Sequence, residues 1–198
     1  MNKKPQGHVI DRSALPSQYP THAQDAQFWE ALGRAVATFG FLEDVLAKAI
    51  FALTATTRYE EHELAGAYEA WLPTLEKALV DPLGGLIDAY ANAVRKHSDA
   101  NVPNLDGLLS DLRKASAMRN VICHGFWGPP DTAGATVPSF INKKKEVFAT
   151  PIDVQYLARV QRATTEIACV VIETVTCMGW RFPGSTGSGE PVWSNQKA

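Results

Sequence analysis

The feature that most constrains this chain is a long apolar stripe near its start. Phe28, Leu32, Ala35, Val36, Phe39, Leu42, Leu46, Ile50 and Leu53 recur at three- and four-residue steps. Such steps place them on one face of an α-helix, which turns once in 3.6 residues. The pattern predicts a helix from Gln24 to about Thr56, weakened only slightly by Gly33 and Gly40. One apolar face of that length has to be covered by other helices.

The rest of the chain supplies them. Glu60 to Ala70 reads as a shorter helix, continued by Leu72 to Val80 after a kink near Pro73. Asp81-Pro82 marks a break. Leu83 to about His97 is the next helix, with Leu86, Ile87, Tyr90 and Val94 inward. After a loop over 98–104, Leu105 to about Cys123 forms a further helix, with Leu105, Leu108, Leu109, Leu112 and Ala115 on one side and Gly125 as its stop. Asp153 opens a last helix to about Cys177, with Leu157, Val160, Ile167, Val170, Val171 and Val175 inward, ended by Gly179. Between these two, residues 125–150 are rich in Gly, Pro and Thr. Pro138–Ile141 and Glu146–Ala149 flank the polar run 142–145, as in a small β-hairpin. The expected fold is all-α: an antiparallel four- or five-helix bundle over residues 23–179, with a β-hairpin insertion over 125–150 before the last helix. Residues 1–22 read as an extended arm, and 180–198 as a flexible tail.

Composition narrows the function classes. At 198 residues, 45% hydrophobic and 20% charged, the chain suits one globular domain with a real core. A net charge of −2 gives no global attraction to nucleic acid, so binding of that kind needs a local basic patch. Three cysteines without regular spacing argue against a disulfide framework or a structural zinc site, and no cofactor motif is present. The first twenty residues have no apolar run of a signal peptide, and no segment is long and apolar enough to span a bilayer, so a cytoplasmic location is expected.

Two charges stand on apolar stripes. Arg119 lies seven residues after Leu112, and Glu43 lies four after Phe39 and three before Leu46. Charges in such positions are costly unless paired, so Glu43 and Arg119 are natural partners if their helices are neighbours. The pair then either locks helix register or serves a site. A fully buried pair would make loss of Glu43 cost on the order of 3 kcal/mol. Asn120 and His124, four apart, share a face beside Arg119. An imidazole gains and loses a proton near neutral pH, a guanidinium is a fixed cation, and an amide positions. Those are the parts needed to cleave a phosphodiester without a metal.

The run Arg119-Asn120-Val121-Ile122-Cys123-His124 resembles the Arg-x4–6-His signature of HEPN domains (higher eukaryotes and prokaryotes nucleotide-binding). The segment Phe39-Gly40-Phe41-Leu42-Glu43 also resembles the first long helix of that family, where an acidic residue can face the motif. The resemblance covers roughly residues 24–178. It implies a helical bundle with the motif at the end of a late helix. It also implies a metal-independent endoribonuclease acting as a homodimer, of the kind found in toxin–antitoxin, phage-defence or RNA-processing systems, with an antitoxin protein as a further partner. Arg119 and His124 are then catalytic, Asn120 supports them and Glu43 orients Arg119. The alternative within the same family is a non-catalytic module that binds a partner protein or a nucleotide. Lys143, Lys144 and Lys145 read as a solvated hairpin tip or as contacts to RNA phosphates. Trp127 reads as a base-stacking side chain, a core residue or a dimer contact.

Overall fold

A computed structural model describes residues 7–185. Five helices carry the fold: α1 (Ala26–Ala55), α2 (Leu64–Val80), α3 (Leu83–Lys96), α4 (Leu105–His124) and α5 (Val154–Thr176). Each of the long ones starts where a short polar side chain satisfies a free backbone N–H. Asp25 accepts from Phe28 at 2.7 Å, Asn104 from Gly107 at 3.2 Å and Asp153 from Tyr156 at 2.6 Å. None of the helices is long and apolar enough to cross a membrane.

The 30-residue α1 is the centre of the bundle and packs against all four other helices. Its stripe is buried from Phe28 to Leu53, except that Val36 faces outward at the stripe's edge. On α5 the buried line runs through Leu157, Thr164, Ala168, Val171 and Val175, and Val170, expected inward, is exposed. Arg95–Asp106 and Arg113–Asp88 ion pairs show that α3 and α4 run antiparallel. Near the starts of α1 and α5, the Gln161 amide donates to the Ala31 carbonyl. Tyr90, fully buried, donates from its hydroxyl to Thr174 at 3.2 Å, and burial pushes its phenol up to about 12.

Helix α2 differs from its expected form. It runs through Pro73 without interruption and is preceded by a 3-10 turn, Glu61–Glu63. Proline removes one helical donor, but Pro73 and Glu69, whose carbonyl loses its partner, both lie on the exposed side.

The expected β-hairpin contains no strand among the described residues. Three isolated antiparallel bridges, Phe126 with Ser139, Thr136 with Ile152 and Ile141 with Val147, hold residues 125–152 together. Asn142 closes the turn of the last of these pairings. Its side chain accepts from the N–H groups of Lys144 and Glu146, and Lys145 adopts a left-handed φ of 64°. The Asn142 and Phe148 N–H groups donate to the Glu146 and Phe140 carbonyls on either side of the Ile141–Val147 bridge. Ile152, fully buried, seats this segment on the bundle.

The flanks are more ordered than expected. Residues 12–22 form a 3-10 turn, Arg12–Ala14, and further turns rather than an extended arm, tied down where Trp29 donates to the Thr21 carbonyl at 2.8 Å, while residues 7–11 have no regular structure. Past Gly179, whose φ of 86° ends α5, Phe182 packs into the core. The flexible tail proposed beyond residue 185 lies outside the described residues.

Candidate functional site

The last turn of α4 is anchored by Val121 and Ile122, both buried, which leaves Arg119 half-buried and Asn120 and His124 exposed. Arg119 joins the other two elements of the expected site. Its Nε lies 3.8 Å from Oε1 of Glu43 on α1, and its Nη1 lies 3.4 Å from Nε2 of His124. A guanidinium only donates, so this contact is a hydrogen bond when Nε2 carries no proton and accepts. Carboxylate, guanidinium and imidazole thus form a chain from the bundle's side to its end.

The Glu43–Arg119 pair is not sealed. Each side chain keeps 30% of its surface exposed. Both stems start on core-facing stripes, but their length carries the charged heads to the rim, where water remains. An isolated, buried, register-locking pair with His124 far away is therefore not what the chain forms. Asn120 stands one turn before His124 on the open face and bonds neither of the other two.

Gly125 fixes where α4 stops, for a reason other than the left-handed cap usual for glycine. Its φ is −71° and ψ is 142°. A Cβ there would lie 2.6 Å from the Val121 carbonyl oxygen and 2.9 Å from Cβ of Pro138. Only glycine lets the chain leave the helix between these two groups, and that exit sets the position of His124.

Beyond it, extended backbone sends successive side chains to opposite sides. Phe126 is exposed, and Trp127 turns inward with its ring edge-on to Phe28, the centroids 5.2 Å apart. Trp127 is thus a core residue and offers no open ring face to a base. The neighbouring Gly128 carbonyl accepts from Gln24 at 2.6 Å and from Thr136 at 3.3 Å. These contacts seat the segment after α4 on the start of α1, so the insertion sits at the same end of the bundle as the motif. Lys143, Lys144 and Lys145 are exposed on its turn and form no ion pair among the described residues. The structure makes no contact between them and Arg119 or His124.

Other candidates resolve differently. His97, buried, bonds Thr56 Oγ1 through Nε2 at 3.0 Å and accepts the Asp99 N–H on Nδ1 at 3.2 Å, so both ring nitrogens are satisfied structurally. Among the described residues, no three His, Cys, Asp or Glu side chains converge as a metal site. Three concavities stand out, and none is lined by Arg119, Asn120 or His124. The nearest, a groove of about 520 Å³ between α4 and α5, is lined by Phe39, Ala115, Met118, Val160 and Ile167 and stops one residue short of Arg119. Asn120 and His124 stand exposed outside these three concavities. The roles of Gly125 and of the Gln24–Gly128 contact had no sequence signal beyond residue type.

Comparison with family models, with curated proteins and with solved structures finds no match, so the resemblance to HEPN domains rests on the residues themselves.

Proposed function

We propose that this chain is a HEPN-like endoribonuclease that cleaves RNA without a metal, acting in a toxin or phage-defence setting. The observation that carries the reading is the contact chain Glu43–Arg119–His124 at the exposed end of α4. It supplies a proton acceptor and a cation side by side, with the cation braced from α1.

The chemistry follows from those positions. Nε2 of His124 takes the proton of an RNA 2′-hydroxyl, and the 2′-oxygen attacks the adjacent phosphorus. Arg119, turning from the ring to the phosphate, stabilises the charge that builds on its oxygens. The bond to the 5′-oxygen breaks, leaving a 2′,3′-cyclic phosphate, and the departing oxygen needs a proton. One motif holds one imidazole, so the second comes from the facing motif of a two-fold partner. Phe126, exposed just past His124, suits the centre of such a contact, and the exposed Lys143, Lys144 and Lys145 at the same end suit RNA phosphates.

The test is pure protein with mixed RNA in EDTA, wild type beside His124→Ala. Cleavage to cyclic-phosphate ends by wild type alone supports the reading, and equal cutting by both rejects it. Light scattering should give about twice the 21.6 kDa chain mass. A monomer, or a dimer with the two His124 rings on opposite outer faces, removes the composite site. The second reading, a non-catalytic HEPN-like module that binds a partner protein or a nucleotide, is favoured by the exposure of Asn120 and His124 outside the three concavities described above. It predicts binding without cleavage.

A further inference from the structure

Helix α2 is built unlike the rest of the bundle. Of its 17 residues only Ala78 is buried. Leu64, Tyr68, Leu72 and Leu79 follow one another at four-, four- and seven-residue steps, and are 52%, 58%, 40% and 81% exposed. Helical periodicity makes them one stripe, and that stripe faces solvent. Val80, also 81% exposed, ends the helix beside this stripe, on the side of Glu69 and Glu76. Contiguous apolar surface of this kind marks an interaction site rather than ordinary scatter.

The inner side of α2 is equally unusual. It touches the bundle through Ala78 and through Trp71, which donates to Thr54 at 2.8 Å. Between these contacts a cavity of about 710 Å³ separates α2 from α1 and α3. So α2 is held at few points and can adjust its position against a binding surface.

Charge says what kind of surface. Residues 59–80 carry Glu60, Glu61, Glu63, Glu69 and Glu76 against the single Lys77. The chain as a whole is only −2, so the remainder is net positive and the acidity is concentrated here. A like-charged surface would be repelled, and an anionic one such as RNA or acidic lipid most of all.

We infer that the outer face of α2 is the docking surface for an amphipathic helix of a partner protein whose apolar stripe is flanked by lysines and arginines. Leucines of the partner cover Leu64, Tyr68, Leu72 and Leu79, and its cations meet Glu61, Glu69 and Glu76. The start of α2 packs near the end of α1. Thr54, which borders the cavity, is eleven residues past Glu43, about 16 Å along the helix. The inference is therefore independent of the ribonuclease reading.

The test uses the full chain and a synthetic amphipathic helix of about five turns, with leucines on one face and lysines and arginines beside them. A second peptide replaces those cations by glutamates. Fluorescence polarisation should show micromolar binding of the basic peptide, at least about tenfold tighter than the acidic one. The double variant Leu72→Asp/Leu79→Asp should weaken that binding at least about tenfold, with its circular dichroism unchanged because both positions are exposed. Glu69→Lys/Glu76→Lys should weaken it too and narrow the preference between peptides. Equal affinity for both peptides, no binding at about 100 µM, or full affinity in the aspartate variant would overturn the inference. So would self-association of the wild type that the aspartate variant abolishes, since the occupant would then be a second copy.

Discussion

Helices α2 and α4 treat their side chains in opposite ways. Along α4, Leu108, Leu109, Leu112, Ala115, Val121 and Ile122 are buried, and the charged and polar groups of the motif stand at the rim of that packing. Along α2 a single alanine is buried, and the apolar residues stand in water. The first arrangement holds a few polar atoms in fixed relation, as chemistry requires. The second leaves apolar area uncovered on a lightly held element, as docking requires. Two helices of one bundle thus carry different kinds of surface, and the acidity that seemed to weigh against RNA is concentrated in residues 59–80 rather than at the motif.

The contrast can be broken at several points. The largest expected effect is on Arg119. Arg119→Lys keeps the charge but loses the planar fork that meets both Glu43 and a phosphate, so RNA cleavage should fall roughly ten- to hundredfold in initial-rate assays. An unchanged rate would mean that the guanidinium does not touch the substrate. Next is Gly125→Ala, whose methyl group has no room against the Val121 carbonyl and Pro138. It should cost about 1–3 kcal/mol in urea unfolding and lower cleavage as well, because the end of α4 must shift. A neutral result would show that the exit from α4 adapts.

Smaller effects sharpen the comparison. Glu43→Ala should cost less than about 1 kcal/mol, because the pair is at the rim with 30% of each side chain exposed. A loss near 3 kcal/mol would mean a sealed pair, as the stripe positions alone suggest. Smallest of all, Leu72→Asp on α2 should change stability by no more than about 0.5 kcal/mol. A larger loss would show that the outer face of α2 is already covered within the chain.

The helices were legible because periodicity is a local signal. All five appear within a few residues of their expected limits, and α1 buries eight of the nine residues its stripe named. The expected pairing of Glu43 with Arg119 was legible for the same reason, since each sat on a stripe. What was not legible depends on the ends of long side chains and on distant backbone. Seven-residue spacing locates the Cα of Arg119 but not its guanidinium, which reaches the surface. Phe126 and Trp127 looked alike in sequence, and only the direction of the chain after Gly125 decides which one is buried. On α2, periodicity shows that an apolar face exists without showing whether anything covers it.

The most direct measurement is a titration of the isotope-labelled protein with an RNA-like oligonucleotide whose 2′-hydroxyls are replaced by hydrogen, so that it binds without being cut. Nuclear magnetic resonance then reports which residues it meets. The account predicts shifts at the His124 ring, the Arg119 guanidinium and Lys143, Lys144 and Lys145, with Leu64, Tyr68 and Leu72 unmoved. Shifts confined to α2 and its cavity, with His124 and Arg119 silent, would contradict it.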